Sequence, residues 1–194
     1  MLGADIGQAQ DPSALVRIER DADGVWWVRD AYRVPLGTTY REVAELVEKK
    51  AYEHDAVVVI DGTGVGRVVS ELLRERSCMH VPVTITGGLG EHGQNVSKVS
   101  LVTGLRAMME RGGLRVPSSH VDLVSELRAF RVRVRGTSNE AYEAAPGEHD
   151  DLVIALALAV WGTALAQVEQ DAVAEESPMD AYMRVMKELR DGDL

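Results

Sequence analysis

The run Ala56-Val57-Val58-Val59-Ile60, closed by Asp61, constrains the fold of this chain more than any other stretch. A short, continuous apolar run rich in valine suits a strand buried on both faces, and such a strand lies inside a sheet covered by helices on either side. It ends on a carboxylate and then on the glycine-rich segment Gly62-Thr63-Gly64-Val65-Gly66. A central strand that delivers an aspartate to one edge of a sheet is a place where chemistry can be built.

The rest of the pattern is consistent with that frame. Residues 2–7, 13–20 and 24–33 read as three strands. In the second, Ala14, Val16 and Ile18 alternate with Leu15, Arg17 and Glu19. Asp21-Ala22-Asp23-Gly24 supplies a turn, so the three form an antiparallel meander. In the third, the consecutive Trp26 and Trp27 must face opposite sides. Thr38 or Thr39 is placed to cap a helix reaching about residue 54, with Val43, Leu46, Val47 and Lys50 at helical spacing. Downstream come a helix over 66–76, a strand over 81–86, and a glycine loop over 87–93. Helices over 97–111 and 120–129 follow, split by Gly112-Gly113 and Pro117. Residues 130–135 alternate Phe130, Val132 and Val134 with Arg131, Arg133 and Arg135, which predicts one strand with an apolar and a basic face. Residues 136–147 read as loop and 148–168 as a helix. The expectation is one α/β domain over 1–168, then an acidic linker and a short helix within 169–194. That helix carries Met179, Tyr182, Met183 and Met186 as an apolar stripe.

Composition excludes several classes. With Cys78 alone, neither a disulfide framework nor a paired-cysteine zinc site is available, and a reducing, cytoplasmic setting is expected. The N-terminus lacks the basic lead-in of a secretory signal, and the longest apolar stretch, 152–166, is broken by Gly162 and Thr163, so no membrane span is expected. A net charge of −10 argues against a protein that coats nucleic acid. The charge is uneven: Arg111, Arg115, Arg128, Arg131, Arg133 and Arg135 face only Asp122 and Glu126 between residues 111 and 135, and the segment 169–176 is acidic with no basic residue.

Three acidic positions then stand out. Asp5 lies in the opening strand, Asp61 ends the apolar strand, and Asp150-Asp151 open the late apolar helix. Each alone has an ordinary explanation as a turn or helix-cap residue. Brought to one sheet edge, they make an oxygen-rich pocket suited to hard divalent cations. Two such ions about 3.5–4 Å apart are the usual equipment for cutting a phosphodiester.

In order and setting, these motifs resemble the nuclease domain of viral, tailed-phage type terminase large subunits. Leu2-Gly3-Ala4-Asp5-Ile6-Gly7, with Asp11-Pro12-Ser13-Ala14 after it, is similar to that family's opening strand. Ile60-Asp61-Gly62-Thr63-Gly64-Val65-Gly66 resembles its second acidic motif, and His149-Asp150-Asp151-Leu152-Val153-Ile154-Ala155 its third. The stretch from Ser97-Lys98 through Leu101 to Gly113-Leu114-Arg115-Val116-Pro117 resembles the family's intervening segment. The resemblance covers residues 2 to about 168. It implies a ribonuclease H-like mixed sheet flanked by helices, with a helical and strand insertion before the last core helix. It also implies a metal-dependent endonuclease that cuts concatemeric viral DNA during packaging, using two Mg²⁺ or Mn²⁺ ions. Carried over, Asp5, Asp61 and Asp150 form the catalytic, metal-binding triad. Asp151 is a further ligand, placed second because ribonuclease H-like ligands head an Asp-acidic-Leu run. Asp11 and His149 are accessory; Lys98, Arg131, Arg133 and Arg135 are DNA contacts. Double-stranded DNA is the implied substrate. The implied partners are a packaging ATPase, a portal or a small terminase subunit, in the host cytoplasm.

The chain departs from a whole terminase large subunit in lacking a G-x-x-x-x-G-K-[ST] loop, so ATP-driven translocation is not expected of it by itself. Either an excised domain or a separate nuclease fits. Other readings compete less well. The 62–66 glycines miss the dinucleotide fingerprint, because position 67 is arginine. Asp5-Ile6-Gly7 fits the opening of a sugar-kinase or actin-like ATPase, but 194 residues are too few for its two domains. A junction-resolving or repair nuclease would use the same carboxylates on another substrate.

Overall fold

The computed structural model describes residues 1–8, 11–86, 95–135, 139–143 and 150–163, with backbone only for 131–135 and 139–143. The expectations for the 87–93 loop, for His149, and for everything after residue 163, the second domain segment included, lie outside the described residues.

The meander is present: β1 (Leu2–Asp5), β2 (Ala14–Arg20) and β3 (Trp26–Arg33) pair antiparallel in sequence order. The β2–β3 turn is closed by Asp21, whose carboxylate accepts from the amides of Asp23 and Val25 and from Trp27 Nε1, while Gly24 takes φ of 82°. Trp26 is buried and Trp27 is not, as their adjacency in a strand requires. Helix α1 (Tyr40–Glu53) begins on a capping box in which the Thr39 hydroxyl accepts from the Glu42 amide and the Glu42 carboxylate accepts from the Thr39 amide.

β4 (Val58–Asp61) then enters parallel to β1, with Val58, Val59 and Ile60 fully buried. After α2 (Gly66–Glu75), β5 (His80–Thr86) adds parallel to β4, and β6 (Asn95–Ser97) parallel to β5. α3 (Lys98–Glu110) leads to β7 (Leu114–Arg115), which pairs parallel with β3, and then to α4 (Val121–Ala129). The sheet has seven strands in the order β6-β5-β4-β1-β2-β3-β7, so β4 and β1 are interior. β8 (Arg131–Arg135) and β9 (Asn139–Glu143) form a separate antiparallel pair before α5 (Asp151–Trp161).

Three short strands depart from the sequence reading. The side-chain pattern assigns no strand to β6 or β7; they are only three and two residues long and are held by edge pairing. The expected 136–147 loop contains β9, whose Asn139-Glu140-Ala141 start has little strand propensity, so pairing with β8 defines it. β8 is thus half of a hairpin and not a lone strand.

Two cores cover the two faces of the sheet. Ala14, Val16, Ile18 and Val59 face α3, α4 and α5; Leu15, Val58 and Ile60 face α1 and α2. On β2 one face (Ala14, Val16, Ile18) enters the first core, while the other gives Leu15 to the second core and then turns polar at Arg17 and Glu19. α5 is apolar all round, and residues 152–160 are all buried, because the sheet lies on one side of it and α3 and α4 on the other. Gly3 lets α5 lie directly on β1: a Cβ there would come within 1.9 Å of the Ala155 carbonyl oxygen.

Candidate metal centre

Parallel pairing places the first two carboxylates. Ala4 is in register with Ile60, so the residues that follow, Asp5 and Asp61, end their strands side by side at the same sheet edge. The close seat of α5 on Gly3 brings Asp150 and Asp151 to that edge from above. Asp5, Asp61, Asp150 and Asp151, with Asp11 and Thr63, line one open cavity of about 400 Å³. The structure thus assembles five of the expected residues. Lys98 joins them through its ammonium, 2.6 Å from Asp150 Oδ2. Arg131, Arg133 and Arg135 lie on the β8 backbone, where their side chains are not described.

The carboxylates are individually braced. Asp61 is held by the segment that follows it: the Thr63 amide donates to Oδ1 at 2.9 Å, and the Thr63 hydroxyl lies 2.8 and 2.9 Å from the two carboxylate oxygens. This is an Asx-type turn, a compact way to aim a strand-end aspartate. Gly66 permits it, since a Cβ at that position would stand 1.8 Å from the Asp61 carbonyl oxygen.

Asp150 occupies the N-cap position of α5, yet its side chain makes no capping hydrogen bond. The cap comes from elsewhere. Glu126 Oε2, on α4, accepts from the amides of Leu152 and Val153 at 3.0 and 3.1 Å. Asp150 is therefore spared the ordinary duty of its position and left to face the cavity. Glu126 Oε1 accepts from Arg33 Nη2, and Arg33 Nε stands 3.7 Å from Asp151 Oδ2.

Sequence reasoning counts Glu126 only in the charge balance of residues 111–135 and does not single out Arg33. Glu126 is in fact only 4% exposed. Nothing in its local sequence announces burial, because its partners are far away along the chain. Thr63 carries a readable signal, the Asp-Gly-Thr spacing of a side-chain-to-backbone turn.

The electrostatics mark the cavity as a concentration of negative charge. Burial, then the charges of Asp61, Asp151 and Asp150, hold the Asp5 carboxyl well above the usual carboxylate range, with the Lys98 ammonium pulling the other way. Burial also raises Asp61, opposed by the Thr63 amide and hydroxyl and the Ile85 amide. Burial pushes Glu126 up to about 7, opposed by the Val153 amide, Arg33 and the Leu152 amide.

A hard divalent cation fits this setting: the acidic groups lining the cavity are all carboxylates, and a cation would relieve the repulsion centred on Asp5. Among the described residues, no three acidic, histidine or thiol side chains are already gathered tightly enough to hold an ion. Asp150 is engaged by Lys98, so loading requires its carboxylate to turn away from that ammonium, while Thr63 leaves Asp61 aimed.

Residues 2–161 match the family described as Terminase RNaseH-like domain. The chain is 30% identical over 161 residues to the terminase large subunit of Thermus phage G20c, covering 81% of this chain and 30% of that protein. The terminase large subunit of Thermus virus P23-45 gives the same figures. The chain thus spans 30% of the length of these curated relatives. Among solved structures, the large terminase nuclease of thermophilic phage G20c with bound magnesium superposes with a TM-score of 0.67 at 28% identity, covering 82% of this chain and 79% of that one. The large terminase nuclease domain of bacteriophage SPP1, solved with bound Mn, shares the fold with a TM-score of 0.57 at 16% identity, over 84% and 85% of the two chains.

Proposed function

Since the chain belongs to the family of terminase ribonuclease H-like domains and has that fold, we propose that it is a metal-dependent DNA endonuclease that cuts concatemeric viral DNA during genome packaging. The observation that carries this reading is the convergence of Asp5, Asp61, Asp150 and Asp151 on one open polar cavity at the sheet edge. The relatives named as nucleases, one of them solved with magnesium, support it.

In this reading Asp5, Asp61 and Asp150 hold two Mg²⁺ or Mn²⁺ ions, with Asp151 as a further ligand. Bound there, the ions would activate a water and offset the charge that develops on the departing 3′ oxygen. The protein's own part is positioning. Asp61 is kept aimed by Thr63, and Asp5 is held between its acidic neighbours. Asp150, now paired with Lys98, would hold an ion in exchange for that partner, and the Lys98 ammonium would then be available to a phosphate oxygen. Asp11, exposed on the cavity rim, has the accessory role. Arg131, Arg133 and Arg135, spaced by two along β8, contact the phosphate backbone. Such contacts position DNA without reading bases, so little sequence preference is expected.

The wider assignment extends the proposal. Double-stranded DNA is the substrate, a packaging ATPase, portal or small terminase subunit the partner, and the host cytoplasm the location. No helix among the described residues is long and apolar enough to cross a membrane. Plasmid nicking with Mg²⁺, Mn²⁺ or EDTA tests the core claim. Wild type should cut only with metal, and Asp5→Asn, Asp61→Asn and Asp150→Asn should not cut while keeping native circular dichroism. Metal-independent cutting, or full activity in these variants, would refute it.

A further inference from the structure

Glu126 and Arg33 stand behind the acidic cavity without being among its proposed ligands. The first turn of a helix has amides with no partner inside the helix, and a residue at the N-cap usually supplies one. Here two of those amides, Leu152 and Val153, donate to Glu126, which reaches them from another helix. The same carboxylate accepts from Arg33 on β3, and the Arg33 guanidinium also faces Asp122 at 3.9 Å and Asp151 at 3.7 Å. A line of alternating charge thus runs from α4 through β3 to the cavity wall. Its members are largely shielded: the side chains of Glu126, Asp151 and Arg33 are 5%, 15% and 26% exposed.

Such a device is a poor way to gain stability, since a buried ion pair is often matched or beaten by apolar packing of the same volume. It is a good way to fix a helix along its own axis. Apolar contacts between α5 and the sheet are non-directional, whereas two N–H···O bonds set where the first turn lies. That turn carries Asp150 and Asp151.

We propose that Glu126 and Arg33 are positioning residues of the metal centre. Glu126 locks the first turn of α5 so that Asp150, relieved of capping, can serve an ion, and Arg33 orients the Asp151 carboxylate while moderating its repulsion of Asp5. This inference rests on the metal-nuclease reading above.

The test is calorimetric titration of the DNA-free full chain with Mn²⁺, paired with the Mn²⁺ dependence of plasmid nicking. Glu126→Ala should weaken Mn²⁺ binding by roughly 10–100-fold, the usual effect of removing a group that orients a ligand. Glu126→Gln should lose less, because its amide oxygen still accepts from Leu152 and Val153. Arg33→Lys should also bind Mn²⁺ more weakly, while KM for DNA stays near wild type in all three and kcat falls. Leu73→Ala, buried in the opposite core, is the comparison for stability loss alone and should bind Mn²⁺ as wild type does. Wild-type Mn²⁺ affinity in folded Glu126 variants, with Asp150→Asn impaired, overturns the positioning role alone. If Glu126→Ala does not fold, wild-type affinity in both Glu126→Gln and Arg33→Lys does the same. Mn²⁺ binding indifferent to Asp5→Asn and Asp150→Asn overturns the metal centre, and this role with it.

Discussion

Asp5 is the residue on which the others converge. Its carboxyl is raised by burial and by three neighbouring acids, so ionising it in the metal-free protein is unfavourable. The sign follows from linkage. A raised folded pKa means that the group's contribution to stability is complete below the unfolded value, 3.8, and is lost as pH rises through the folded value. Asp5→Asn should therefore be more stable than wild type at pH 8 when metal is absent. The gain should vanish near pH 4, about the unfolded carboxylate pKa, below which Asp5 is neutral in the folded and unfolded chain alike, and the variant should lose metal-dependent cutting at any pH. Urea unfolding at the two pH values checks this; equal stability of variant and wild type at pH 8 would contradict it. Thr63 gives a second prediction at this scale. Thr63→Val removes the hydroxyl against both Asp61 oxygens, and cutting should fall by about tenfold with the fold intact, as for other residues that brace a ligand.

At the scale of elements, the site depends on how closely α5 lies on β1. Gly3 is the contact: an added Cβ would collide with the Ala155 carbonyl oxygen at 1.9 Å and the Ala159 nitrogen at 2.7 Å, both backbone atoms that cannot swing aside. Gly3→Ala must push the helix off the strand, at a cost of about 1–3 kcal/mol for overpacking. It should also draw Asp150 and Asp151 away from Asp5. Reduced unfolding free energy together with weaker Mn²⁺ binding is the expected pair of results. A drop in stability with unchanged Mn²⁺ affinity would show that the seat of α5 does not set the site. The strand end β4 and its turn form the other half of the arrangement, and they are built locally, by Thr63 and Gly66.

For the whole molecule, a net charge of −10 opposes DNA, and the acidic cavity adds to that locally. Divalent ions should act on both fold and substrate binding. An ion that binds only the native state stabilises it by about 2.7 kcal/mol at a hundred times its Kd. Mg²⁺ or Mn²⁺ should accordingly raise the melting temperature of wild type and leave Asp5→Asn and Asp150→Asn unmoved; thermal melts with and without EDTA measure it. DNA affinity without divalent ions should be low and should fall further with added salt.

The sequence alone determined the elements whose side-chain pattern is local. The alternation of β2, the apolar run of β4, a threonine cap of α1 at position 38 or 39 and the continuous hydrophobicity of α5 each follow from residues within a few positions of one another. It also marked Asp5, Asp61 and Asp150-Asp151, because a carboxylate at the end of an apolar strand or the head of an apolar helix is visible without a fold. Only the tertiary structure decided that these ends meet. It likewise set β6, β7 and β9, whose residues carry little strand preference and are held by their pairing partners. The cap of α5 is the plainest case. Local sequence offers Asp150 for that duty, but the helix amides bond to Glu126, 26 and 27 residues away, since packing α4 beside α5 brings a buried carboxylate to the donors that need one.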